Sequence, residues 1–109
     1  MTDIQELIRD LTAFRNERDW SQFHNPKDLA LAISIEAGEL LELYLWKHAE
    51  EANVEKVKEE LADILSFALL LADKYKLDVK QIVQDKIKKN GEKYPVDKAK
   101  GTAKKYDEL

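Results

Sequence analysis

Four carboxylates carry most of the chemistry this sequence can do. Glu36 and Glu39 stand three residues apart, as do Glu60 and Asp63. On a helix that spacing places both members of a pair on one face, about one turn apart. Each pair sits in an apolar stretch: Leu29–Ile35 and Leu40–Trp46 flank the first, and Leu61, Ala62, Ile64, Leu65, Phe67 and Ala68 surround the second. A carboxylate in such surroundings is costly unless it is paired, protonated or bound to a cation. Four of them facing each other across two packed helices repel, and a divalent metal with oxygen ligands is the simplest compensation. A buried network of ion pairs with Lys or Arg is the alternative. Glu50, Glu51, Glu55 and Glu59 need neither explanation, because nothing apolar encloses them and a solvated helix face suffices.

Ligand type narrows the metal. Carboxylate oxygens without thiolate or imidazole favour Mg²⁺, Mn²⁺ or Ca²⁺ over Zn²⁺. Mg²⁺ is the expected cofactor, with Mn²⁺ as a substitute, because Mg²⁺ keeps waters and takes substrate phosphates into its shell. A basic strip, Lys86, Lys89 and Lys93, adds the expectation of a polyphosphate substrate. A carboxylate not saturated by the metal can orient or deprotonate an attacking water, and Glu36, Glu39 and Glu60 are the candidates. There is no P-loop and no Gly-rich dinucleotide fingerprint. Two histidines in unrelated contexts give no Ser-His-Asp arrangement, and the absence of cysteine excludes disulfides and thiolate metal sites.

Helices must position these groups. Thr2 to about Arg18 reads as the first, opened by a Thr2/Gln5 capping box and striped by Ile4, Leu7, Ile8, Leu11 and Phe14. Asp19–Asn25 breaks the pattern and gathers Trp20, Phe23 and His24 in a loop, either as a lid on the core or as a stacking platform for a nucleobase. Asn25 caps a second helix with Pro26 in its first turn, running to about His48 and apolar on most sides. Gly38 in its middle permits close approach of a helix or ligand. Asn53 caps a third helix running to about Tyr75, on which Glu60, Asp63 and Phe67 share a face at i, i+3 and i+7. The short connection makes the second and third helices a hairpin that can bring the two acidic pairs level. A fourth helix runs from Val79 to about Asn90, with Gly91 as the residue just past its end and Pro95 closing the region. Residues 96–109 form a Lys-rich, weakly patterned tail, mobile or docked on a neighbouring subunit.

The 109 residues suit one domain, taken as residues 1–95 plus the tail. Net charge is −4, from 18 Lys and Arg against 22 Asp and Glu, and only the stretch from Lys86 is strongly basic. That argues against a nucleic-acid polymer as partner. No apolar run reaches the ~18–20 residues that span a bilayer. The opening Met1-Thr2-Asp3 lacks the basic and apolar regions of a signal peptide, so a cytoplasmic, non-membrane protein is expected.

The runs Ile35-Glu36-Ala37-Gly38-Glu39-Leu40-Leu41-Glu42 and Glu59-Glu60-Leu61-Ala62-Asp63-Ile64-Leu65 resemble the signature of the MazG-like, all-α nucleotide pyrophosphohydrolases. Glu17-Arg18-Asp19-Trp20-x-x-Phe23-His24-x-Pro26, Trp46-Lys47 and Asn90-x-x-Lys93-Tyr94-Pro95 resemble its dCTP pyrophosphatase branch, so the likeness spans about residues 4–95. The resemblance implies an all-α, four-helix bundle assembled as a symmetric homodimer or homotetramer. It implies Mg²⁺-dependent cleavage of a nucleoside triphosphate between its α- and β-phosphates, to the monophosphate and pyrophosphate, as house-cleaning of the nucleotide pool. Glu36, Glu39, Glu60 and Asp63 become the metal ligands. Trp20 and Trp46 enclose the base from different subunits, and Lys86, Asn90, Lys93 and Tyr94 lie near the phosphates. His24, Lys47 and Phe67 complete the substrate-binding set, His24 by shaping its loop.

Three positions depart from that branch: Asp28 where Asn is usual, Leu45 before Trp46 where Gln is common, and Phe67 in place of a Tyr. They bear on base and sugar preference and leave the four metal ligands untouched. Two other readings compete. One is a non-enzymatic helical interaction or regulatory module in which Lys and Arg pair the carboxylates. The other is a pyrophosphohydrolase acting on a phosphoribosyl intermediate of histidine synthesis, against which the Trp20 and Trp46 patterns argue.

Overall fold

A computed structural model describes residues 1–109, and every regular element in it is helical. The helices are α1 (Asp3–Glu17), α2 (Pro26–Glu42), α3 (Val54–Lys74), α4 (Val79–Lys93) and the short α5 (Val96–Ala99), with 3₁₀ turns at Ser21–Phe23, Ala49–Glu51 and Tyr106–Glu108. Met1–Leu77 and Asp78–Leu109 form two compact units. No helix is long and apolar enough to cross a membrane.

The starts of the helices follow from side-chain caps. Thr2 and Gln5 close a reciprocal capping box on α1. Asn25 accepts from the Asp28 backbone N–H at 2.9 Å, with Pro26 in the first turn of α2. Asn53 accepts from the N–H groups of Glu55 and Lys56, and Asp78 from that of Gln81. Each satisfies backbone donors that the helix cannot, an effect of ~1 kcal/mol.

Two helix ends differ from the expectation. α2 stops at Glu42 rather than His48. Leu43, Tyr44 and Leu45 bond three residues back, to Leu40, Leu41 and Glu42, and the tightened turn ends with Trp46 in left-handed backbone at φ 60°. α4 runs through Gly91 to Lys93, so the glycine lies inside the helix and Pro95 sets the stop. The glycine that follows a helix end in left-handed conformation is Gly101, at φ 80° after α5. The tail carries α5 and a 3₁₀ turn, and Tyr106 sets its ring edge against Tyr94, 6.2 Å between centroids, with Lys93 Nζ 5.0 Å from the Tyr106 ring.

In the first unit α2 and α3 pack along each other and α1 packs on α3. The fully buried apolar residues are few: Leu29, Leu69, Leu70 and Ala72. The stripe on α1 is rotated from the one expected. Leu7 and Phe14 are about half exposed, while Arg15, at i+4 from Leu11 and i+7 from Ile8, is only 6% exposed. Away from the α2–α3 contact both helices show apolar side chains to solvent: Leu31, Ile35 and Leu41 on one, Val54, Leu61 and Leu65 on the other.

Candidate active site

The α2–α3 hairpin brings three of the four carboxylates to one point. Glu36 lies six residues before the end of α2, and Glu60 six after the start of α3. The intervening connection therefore folds them to the same level. Glu36, Glu60 and Asp63 each offer a carboxylate oxygen, and these oxygens lie within 4.8 Å of one another. Glu36 and Glu60 are half-buried, and Asp63 is more open. Glu39 is exposed beside this trio, near enough to Glu36 to influence its proton.

The electrostatics of the cluster are unbalanced. Oε2 of Glu36 and Oε2 of Glu60 are buried without a hydrogen-bond partner. None of the four carboxylates forms an ion pair with Lys or Arg; the ion pairs present join Arg9–Asp10, Arg18–Glu17, Lys58–Glu55 and Lys76–Asp73 on exposed faces. The Glu36 pKa is raised from 4.5 to about 7. A hydrogen bond from its protonated form to Glu60 is the main cause, followed by burial, a hydrogen bond with Glu39 and repulsion from Glu39 and Asp63. Crowding of the carboxylates thus disfavours the charged form of Glu36, as expected where a positive charge is missing. Orphaned carboxylate oxygens, close together and without nitrogen or sulfur donors, fit a hard divalent cation such as Mg²⁺. The ion-pair arrangement required by the interaction-module reading is absent.

Asp63 also borders a cavity of about 350 Å³ lined by Leu11, Phe14, Arg15, Trp20, His24, Ser66, Phe67 and Leu70. That is the lower range of small-molecule sites. Trp20 meets Phe14 edge to face at 5.8 Å, and His24 meets Phe67 at 6.2 Å and 77°. Arg18 lies over the Phe14 ring, 3.6 Å from its centroid. The loop is held by Gln22 bonding Asp19, and by Asn25 Nδ2 donating to Asp28 Oδ2 at 2.6 Å. An Asn at position 28 could accept the same bond, so Asp28 changes the charge there more than the geometry.

Of the expected substrate-binding residues, Trp20, His24 and Phe67 therefore meet around one cavity with Asp63 at its edge. Trp46 and Lys47 do not join them. They lie on the turn after α2, and Trp46 is 93% exposed in strained left-handed backbone. Lys86 and Asn90 line a shallow hollow on α4 with Ile82, Val83 and Ile87, while Lys93 and Tyr94 face Tyr106. Leu11, Phe14, Arg15, Ser66 and Leu70 line the cavity without belonging to the sequence-derived set, and Arg15 is the charged one, its Nε and Nη1 buried without partners. Its signal was present, since it occupies the position that the Ile4-Ile8-Leu11 spacing reserves for an apolar side chain.

The profile of the MazG-like family matches residues 31–109. The chain is 42% identical to dCTP pyrophosphatase 1 of Bos taurus, over 97% of its own length and 68% of that protein's, and 39% identical to dCTP pyrophosphatase 1 of Homo sapiens over 97% and 67%. The crystal structure of a pyrophosphatase from Archaeoglobus fulgidus superposes with a TM-score of 0.81 at 37% identity, covering 87% of this chain and 94% of that one.

Proposed function

The chain belongs to the MazG-like family and is a nucleoside triphosphate pyrophosphohydrolase, and we propose that dCTP or a modified dCTP is its substrate and Mg²⁺ its cofactor. The reaction adds water to the α-phosphorus and breaks the bond to the oxygen bridging the β-phosphorus, releasing dCMP and pyrophosphate. The observation that carries this reading is the trio of mutually close carboxylates without cationic partners, one of which, Asp63, borders an aromatic cavity.

Glu36, Glu60 and Asp63 would hold the cation, with Glu39 completing the set from the adjacent turn. When bound, Mg²⁺ neutralises phosphate oxygens and makes a nearby water more acidic. Glu36 would hold the cation as its ionised carboxylate, the form in which it no longer donates to Glu60. Glu39 is the most exposed of the glutamates in the cluster and is free to accept a proton from the attacking water. Trp20 and Phe67 offer ring surface to the base, and the apolar wall formed by Leu11 and Leu70 keeps bulk water from that end. Trp46 with Lys47 closes over the base from a second subunit.

A symmetric homodimer or homotetramer is part of this proposal. Leu31, Ile35 and Leu41 on α2 and Val54, Leu61 and Leu65 on α3 are each between 46% and 74% exposed. So much apolar surface beside so small a core is what a subunit interface removes from water. The enzyme acts on the cytoplasmic nucleotide pool.

Pyrophosphate release from dCTP, with and without Mg²⁺, tests the function. Mg²⁺-dependent release of one pyrophosphate and one dCMP per dCTP is expected. Absence of release from every deoxynucleoside triphosphate would refute it. Glu39→Gln is expected to lower kcat by ~10²-fold or more while the helical circular dichroism is retained; full activity in that variant would remove Glu39 from the site.

A further inference from the structure

Arg15 is the one charged residue sealed in the first unit, and nothing there explains it. Its side chain forms no ion pair, and Nε and Nη1 are buried without a hydrogen-bond partner. A buried guanidinium without a partner is among the more costly features a small domain can carry. It lines the cavity beside Trp20, His24 and Phe67, so the acceptor it lacks is one that a ligand can bring.

The chemistry of that acceptor follows from the walls. The phosphates of a nucleotide must lie with the carboxylate-held cation, at the Asp63 side. The remaining lining is aromatic and aliphatic apart from Ser66, Arg15 and His24, which suits a flat heterocycle and not a hydrated anion. Arg offers five N–H donors and no acceptor. Cytosine presents two adjacent acceptors on its pairing edge, O2 and N3. Uracil and thymine place an N3–H donor there, which would meet another donor. His24 Nδ1 is a second buried polar atom without a partner in the same cavity. Burial and the nearby Arg15 and Lys74 cations push the His24 pKa down. The neutral ring keeps one acceptor nitrogen, a match for the exocyclic amine that cytosine has and uracil lacks.

We propose that Arg15 is the base-specificity residue of this site, its guanidinium donating to the O2/N3 acceptor edge of a cytosine lodged in the cavity. This rests on the reading that the site takes a deoxycytidine nucleotide. It adds that selection against uracil and thymine resides in one side chain of α1.

Calorimetric binding of dCMP, dUMP and 3-deaza-dCMP (which lacks the N3 acceptor) to the full chain with Mg²⁺ tests the proposal. Wild type, Arg15→Gln and Arg15→Lys are compared, with melting temperatures measured in parallel. Wild type is expected to bind dCMP ~10–100-fold tighter than dUMP or 3-deaza-dCMP. Arg15→Gln is expected to weaken dCMP by a similar factor, leave dUMP nearly unchanged and melt no lower than wild type, because it removes an unpaired buried charge. Arg15→Lys keeps a donor and recovers part of the preference for dCMP. Equal weakening of all three ligands, unchanged dCMP binding, or a lower melting temperature in Arg15→Gln overturns the assignment in favour of a structural role. Wild type binding 3-deaza-dCMP as well as dCMP, or binding no monophosphate, overturns it without any variant. dCTP turnover is a separate readout. Selective dCMP binding without pyrophosphate release would sink the proposed reaction and spare Arg15, and release without base selectivity would do the reverse.

Discussion

Replacing Glu36 by Gln should make the metal-free protein more stable at pH 8 and the Mg²⁺-loaded protein less stable. Oxygens of Glu36, Glu60 and Asp63 lie within 4.8 Å of one another. At that distance two unit charges repel by ~1 kcal/mol in a water-like dielectric and ~3.5 kcal/mol at an effective value of 20. The rise of the Glu36 pKa from 4.5 to about 7 falls in the same range, each unit being ~1.4 kcal/mol. Because the cluster is only half-buried, solvent screening reduces the net effect, and ~1–2 kcal/mol is the expected size. Folded Glu36 binds its proton more tightly than the unfolded chain does. Its contribution is therefore complete below pH 4.5 and is lost as pH rises to about 7.

Glutamine mimics the protonated acid, so the variant should match wild type near pH 4 and melt about 4–8 °C higher at pH 8 in the presence of a chelator. Added Mg²⁺ reverses the order. Wild type gains RT ln(1 + [Mg²⁺]/Kd), ~2.7 kcal/mol at one hundred times Kd, and the variant gains much less. Mg²⁺ affinity of wild type should also rise with pH through 7, because binding displaces the Glu36 proton. Thermal melts over pH 4–8, with chelator and with Mg²⁺, read all of this. A variant that melts below wild type at pH 8 without metal would show that these carboxylates are not in conflict, and the basis for a cation among them would be gone.

Trp20→Ala should raise KM for dCTP by ~10-fold or more with a smaller change in kcat, since stacking of a base on an aromatic ring contributes ~1–3 kcal/mol. Trp20 is 43% exposed, so its loss should barely move the melting temperature, and an unchanged KM would return Trp20 to the role of a lid. Leu65→Glu places a charge in the exposed apolar strip of α3 that includes Leu61, and sedimentation should show the variant as monomer where wild type is a dimer or tetramer. A monomeric wild type at micromolar concentration would remove the assembly from the proposal.

Much of this molecule was readable in advance because the signals are local. Thr2, Asn25, Asn53 and Asp78 each use a short side chain to satisfy a backbone donor two or three residues on, and each start is where the sequence places it. The meeting of Glu36 with Glu60 and Asp63 followed from one further step, a hairpin of two helices in which Glu36 and Glu60 stand equally far from the connection. The end of α2 was not readable, because Leu43, Tyr44, Leu45 and Trp46 continue the apolar run and nothing local forbids another turn; the tightened bonds and the left-handed Trp46 are properties of the fold. Arg15 failed for the opposite reason. Its position in the Ile4-Ile8-Leu11 series is apolar by geometry, yet its charge reads as surface. Where the two disagree, register decides which way a side chain faces, and the mismatch marks the place to look for a ligand. The acidic trio and Arg15 are two instances of one rule, a charge kept where folding alone disfavours it. Arg15 lines the cavity and Asp63 ties the trio to its edge, so one cavity meets excess negative charge suited to a cation on one side and unpaired donors suited to an acceptor on the other.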